Sequence, residues 1–114
     1  MLIKIISNTI SKEELKKIAI NQFGDLVKAV VDIEKEIMAI GGELHADEEA
    51  LLLEHGSRQE NLWGVNIYQE KSDEERVEFD SMINVRPSQN NRSRGVENLE
   101  IQSKIRDIVN KLIS

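Results

Sequence analysis

KAVVDIEKEIMAIGGELHADEEALLLEHG, residues 28–56, is the stretch on which the fold turns. Over residues 28–40, Ala29, Val31, Ile33, Ile37 and Ala39 alternate with Asp32, Glu34 and Glu36, the period of two that a half-buried strand requires. Gly41 and Gly42 then suit the two central positions of a hairpin turn. With those glycines as the loop, Ile40 faces Glu43, Val31 meets Leu52, Ile33 meets Ala50, Lys35 meets Glu48 and Ile37 meets Ala46. That register makes one side largely apolar and adds a cross-strand ion pair. Residues 47–56 support two readings. As the return strand of the hairpin they complete the register, which is the expectation; acids first, His55 late and Gly56 at a C-cap position also suit a helix.

On either side the chain is easier to read. Ser11 and Glu14 have capping-box spacing, with Ile10 and Leu15 placed as a hydrophobic staple. A helix follows, with Leu15, Ile18, Ala19 and Phe23 as its apolar stripe and Gly24 placed to end it. Asn98 is an N-cap residue for a last helix whose stripe is Ile101, Ile105, Ile108, Val109 and Leu112. Trp63, Val65 and Ile67 alternate with Gly64, Asn66 and Tyr68, and a further alternation runs over residues 77–85, so both read as strands. The run LIKIIS, residues 2–7, adds another, and the charged residues 70–76 read as a solvent loop.

These elements predict an α+β protein, a single domain over residues 1–114. Its architecture is a two-layer sandwich: a mainly antiparallel meander of four or five strands, with the N-terminal and C-terminal amphipathic helices on one face. Trp63 belongs to the core under those helices. The other sheet face is expected to stay open, carrying Asp32, Glu34, Glu36, His45, Asp47, Glu49, Asn66, Tyr68, Asp80, Asn84 and Arg86.

Composition bounds the function. The chain has no cysteine, which excludes disulfides, thiolate catalysis and cysteine-bound zinc. A net charge of −6 disfavours duplex DNA as a partner, because phosphate neutralisation by Lys and Arg drives that binding. The opening apolar run is too short for a signal peptide or a membrane span, so a soluble cytoplasmic protein with no membrane partner is expected. Neither a P-loop nor a Ser-His-Asp pattern is present, and no cofactor is evident.

The runs VVDIEKEIMAIGGELHADEEALLLEHGS (residues 30–57), LWGVN (62–66) and EFDSMINVRPSQNNRSRGV (78–96) resemble a family of short prokaryotic proteins catalogued as a domain of unknown function. The likeness covers the chain from about Phe23 to the last helix. It implies no activity, substrate or cofactor. His55 stands where the family commonly has Asp, Asn90 where it has Gly, and Asn98-Leu99 where it has Asp-Pro. The last change keeps a capping residue before the first helical position; the first speaks against His55 as a catalytic residue.

Two sites follow from the residues. Residues 81–94, SMINVRPSQNNRSR, hold three arginines and no acid, just before the last helix. Arg86, Arg92 and Arg94 are planar donors suited to phosphate or carboxylate, and Asn84, Ser88, Gln89 and Ser93 add neutral groups. They are the candidate ligand-binding residues for a small anion. The acidic face is the second: Asp32, Glu34, His45 and Asp47 are candidate ligands of a divalent metal in a metal-assisted hydrolase or nuclease. Arg86 is expected beside Asp32 and Asp80, with a nitrogen within hydrogen-bonding distance of a carboxylate. Met38, Ile40, Leu51 and Leu53 fall on the nominally polar face, and with the unpaired sheet edges they point to a homodimer as a third reading.

Overall fold

The computed structural model describes residues 3–114, and its main elements follow in the order β1 (Lys4–Ile6), α1 (Lys12–Asn21), β2 (Val27–Asp32), β3 (Ile37–Ile40), α2 (His45–Glu54), β4 (Leu62–Ile67), β5 (Val77–Glu78) and α3 (Leu99–Leu112). The terminal helices begin where the capping residues stand. The Ser11 hydroxyl accepts the N–H of Glu14 at 3.1 Å, and the Asn98 side chain accepts from Glu100 and Ile101. Gly24, at φ +90°, gives its N–H to the Ala19 carbonyl and closes α1. Leu15 and Ala19 are buried as expected, whereas Phe23 lies beyond the helix and is exposed.

All five strands pair antiparallel in the order β1-β3-β2-β4-β5. The expected single strand over residues 28–40 is two strands, and the hairpin turn lies at residues 33–36, not at the glycines. Asp32 builds that turn. Its Oδ1 accepts the N–H groups of Glu34 and Lys35, both at 2.9 Å, while Glu36 takes φ +57° and gives its N–H to the Asp32 carbonyl. The register is Ala29 with Ile40 and Val31 with Met38, so partners differ in odd and even number. Ile37 and Ala39 therefore share a face with Val30, and Met38 and Ile40 share the other with Ala29 and Val31. Every residue of β3 is apolar because both its faces are covered.

Residues 47–54 belong to a helix, not a strand. Helix α2 has its acids in the first turn, His55 at its C-cap and Gly56, at φ +97°, just beyond. It packs on the sheet face expected to be open. There its Leu52 meets Val30, Ala39 and Leu62 of the sheet in a small apolar cluster. The main core lies on the opposite face, where α1 and α3 bring Leu15, Ala19, Ile105, Ile108 and Val109 against Val31, Met38, Trp63 and Val65. The α+β class, the antiparallel sheet and the pairing of the terminal helices on one face stand. The chain's two ends are tied by a bridge between Ile10 and Ile113, with Ile10 donating to the Leu112 carbonyl at 2.8 Å.

The strand expected over residues 77–85 pairs only at Val77 and Glu78. Beyond them side chains take the place of a strand along the outer edge of β4. Asn84 accepts the N–H of Gly64 at 2.8 Å and donates to the Gly64 carbonyl at 2.9 Å; Arg86 donates to the Leu62 carbonyl. Ser81 lies so near β4 that a Cβ on Gly64 would come within 2.6 Å of it, so only glycine lets this segment approach.

Candidate functional site

Most of the arginine and asparagine loop is spent on holding itself together. Asn84 is fully buried and bonds Gly64 and the Arg94 carbonyl. Arg86 stacks on Trp63, 4.9 Å from the ring centre, and donates to the carbonyls of Ile83 and Leu62. A carboxylate lies within hydrogen-bonding distance of its nitrogens, as expected, and it is Glu49 of α2, at 3.4 Å. Burial lowers the Arg86 pKa, and the Glu49 charge opposes that shift. Gln89 donates to the Glu60 carbonyl, and the Ser93 hydroxyl accepts the Gly95 N–H. Asn91, which composition does not single out, joins the carbonyls of Asn84, Ser93 and Gly95 and accepts the N–H of Glu97. Two backbone donors of the loop already hold one of the chain's own acids: Glu97 accepts the N–H groups of Ser93 and Arg92, at 2.8 and 2.7 Å, and these lower its pKa. Ser88 and Arg92 remain exposed.

Arg94 differs from the other arginines. Its Nε donates to Asp80 at 2.7 Å, and its side chain borders a cleft of about 230 Å³ on the α2 side of the sheet. Lys28 of β2 and Asn66 of β4, paired across the strands, line it; so do Leu44, His45 and Ala46 at the start of α2, and residues 80–83. Leu44 caps α2 without a side-chain hydrogen bond, its carbonyl taking the Asp47 N–H at 3.2 Å, and the positive end of that helix borders the cleft. His45 is 8% exposed, and its Nε2 lies 2.8 Å from the Val65 carbonyl. A carbonyl can only accept, so Nε2 carries the proton and Nδ1 is an acceptor. Burial lowers the His45 pKa and Lys28 adds to the effect, against the Val65 bond, which keeps the ring neutral at pH 7. Asn66 gives its Nδ2 to Glu78 on the β5 side at 2.9 Å, and its Oδ1, also buried, has no partner among the described residues.

With that geometry in place, a family model described as "Protein of unknown function (DUF5674)" matches residues 4–112. The chain belongs to this family. No curated protein and no solved structure matches it. Family membership thus carries no activity to the cleft, whose chemistry rests on its own residues.

The acidic candidates do not come together. Asp32 is 1% exposed with both oxygens engaged, Oδ1 in the turn and Oδ2 accepting the Ser57 hydroxyl at 2.6 Å. Glu34 is exposed in that turn, His45 faces the sheet, and Asp47 is exposed on α2. Among the described residues no group of three or more His, Asp or Glu side chains is arranged to hold a metal ion. The apolar residues that motivated a dimer also part company: Met38 and Ile40 are core, Leu51 is half-buried and Leu53 exposed. Among the described residues no helix is long and apolar enough to cross a membrane.

Of the cleft's polar groups, Arg94 is an expected ligand residue and Asn66 an expected residue of this sheet face; His45 and Asp80, expected on strands of the same face, reach the cleft from α2 and from the segment after β5. Lys28 was missed. Its signal is a lysine inside the run VKAVVD, where every other residue before Asp32 is apolar.

Proposed function

We propose that the chain binds a small organic anion in this cleft, with the ligand's charge held between Lys28 and Arg94. One observation carries the reading: two cations flank a concave site that is walled by the uncapped N-terminal turn of α2. Arg94 keeps its terminal nitrogens for a ligand while Asp80 fixes the side chain through Nε. The lack of cysteine suits the reducing cytoplasm, where we place this activity.

The test is calorimetric titration with small carboxylates and phosphate monoesters. Arg94→Ala should weaken binding at least about tenfold, because a charge-assisted hydrogen bond contributes roughly 1.5–3 kcal/mol. Its thermal stability should stay within about 1 kcal/mol, as for other surface changes. Lys28→Ala should act in the same direction, and raised salt should weaken the wild-type affinity. Arg92→Ala, an exposed arginine outside the cleft, should change nothing. Affinity unaltered by loss of Lys28 and Arg94 together overturns the reading.

A further inference from the structure

We infer, resting on the anion-binding reading, that the ligand is a small monoanionic hydroxy acid: a carboxylate that also presents an uncharged hydroxyl donor, on a short apolar skeleton. Three features of the cleft lead there.

The first is charge. Lys28 and Arg94 contribute two positive charges, Asp80 one negative, and the His45 ring is neutral, leaving a local excess of one positive charge. A carboxylate matches that excess, whereas a phosphate monoester near pH 7 brings roughly −1.5 to −2.

The second is an unmet demand for donors. The Asn66 side chain stands between Lys28 on β2 and Glu78 on β5, its nitrogen committed to Glu78. Its oxygen is buried without a partner among the described residues, in a side chain that is only 8% exposed and lines the cleft. A buried acceptor without a donor is costly, so such groups normally mark a missing partner. In His45 the Val65 carbonyl fixes the proton on Nε2 and leaves Nδ1 as a second acceptor without a partner among the described residues. Both acceptors are neutral. A hydroxyl satisfies either without bringing a charge, whereas an ammonium group would meet the repulsion of Lys28 and gain no opposite charge from Asn66 or His45.

The third is the rim. Leu44 is 57% and Met82 67% exposed, and both line the same cleft as the polar floor. Two large apolar side chains beside a charged recess fit a ligand with an apolar end.

The experiment is a binding series on the full chain with three skeletons, propanoate, 4-methylpentanoate and 3-phenylpropanoate, each as the 2-hydroxy acid, the 2-amino acid and the unsubstituted acid. In at least one skeleton the hydroxy acid should bind about tenfold more tightly than the unsubstituted acid, the span of one or two good hydrogen bonds, and the amino acid more weakly than the hydroxy acid. In Asn66→Leu that preference for the hydroxyl should collapse toward one. The wild-type series decides the matter even where this variant fails to fold. Equal affinity of hydroxy and unsubstituted acids in every skeleton overturns the hydroxyl inference and leaves anion binding intact. Tightest binding of the amino acids overturns it in favour of a charged donor. Binding of none of the nine overturns the hydroxy-acid inference, while the anion-binding reading stands or falls on the phosphate monoesters and the Lys28 and Arg94 variants.

Discussion

Glu48 shows how far a single residue can depart from its ordinary chemistry. It is fully buried under α2, with Oε2 accepting the Gly42 N–H at 2.9 Å and Oε1 without a partner among the described residues. Burial pushes its carboxyl up to about 9, although the Gly42 N–H and the Lys28 charge pull the other way. At neutral pH it is a protonated acid. The sign of the consequence is fixed: between pH 4.5 and about 9 the folded chain keeps a proton that the unfolded chain has released, so Glu48 makes stability fall as pH rises through that window. Glu48→Gln should therefore raise the thermal midpoint at pH 8 by more than at pH 5, in parallel melts. An equal effect at both values would show that Glu48 is ionised in the fold. None of this is legible in the string DEEALLLE, where Glu48 resembles its acidic neighbours. Ser11 and Asn98 were legible because a cap bonds N–H groups two or three residues away, whereas the environment of Glu48 is set by Gly42 and a sheet built from distant residues.

Among the elements, β4 is the one whose neighbours substitute for each other's chemistry. Its inner edge pairs with β2 along six residues, while its outer edge has two residues of β5, then an amide and a guanidinium. Asn84→Ala would strip the Gly64 N–H and carbonyl of their partners and leave the Arg94 carbonyl with the Ser81 N–H alone. We expect a loss of about 2–4 kcal/mol in denaturant unfolding, from two buried groups left unpaired. A loss below about 1 kcal/mol would mean that water fills the gap. Asn84→Asp should cost as well, since an acid keeps the acceptor for Gly64 but loses both donor bonds. The alternation over residues 77–85 concealed this arrangement, because the odd positions there are apolar or small whether or not a partner strand exists. The turn at residues 33–36 was hidden for a related reason. An all-apolar β3 has no polar side to show which face it presents, so the alternation ran on through the turn, and a glycine pair looked like the better place to reverse.

At the scale of the molecule, the sheet carries a large core on one side and a small one on the other. α1 and α3 share the first; α2 sets its Leu52, His45 and Glu48 on a small patch with three fully buried apolar residues, Val30, Ala39 and Leu62. Local opening follows buried apolar contact, so the amides of α2 should exchange with deuterium faster than those of α3, and the cleft should open with them. Equal protection would mean that the molecule unfolds only as a whole. A ligand that bridges Lys28 and Arg94 against α2 should slow exchange in that helix first. The bridge from Ile10 to Ile113 bears on the birth of the chain. Residues 103 positions apart must meet before α1 is anchored and the main core is closed. On a ribosome adding roughly 5–20 residues each second, the sheet strands emerge several seconds before the last turn of α3. For that interval Val31, Met38, Trp63 and Val65 lack half of their cover. The growing polypeptide is thus a client for whatever shields apolar surface at the exit tunnel until α3 has been made.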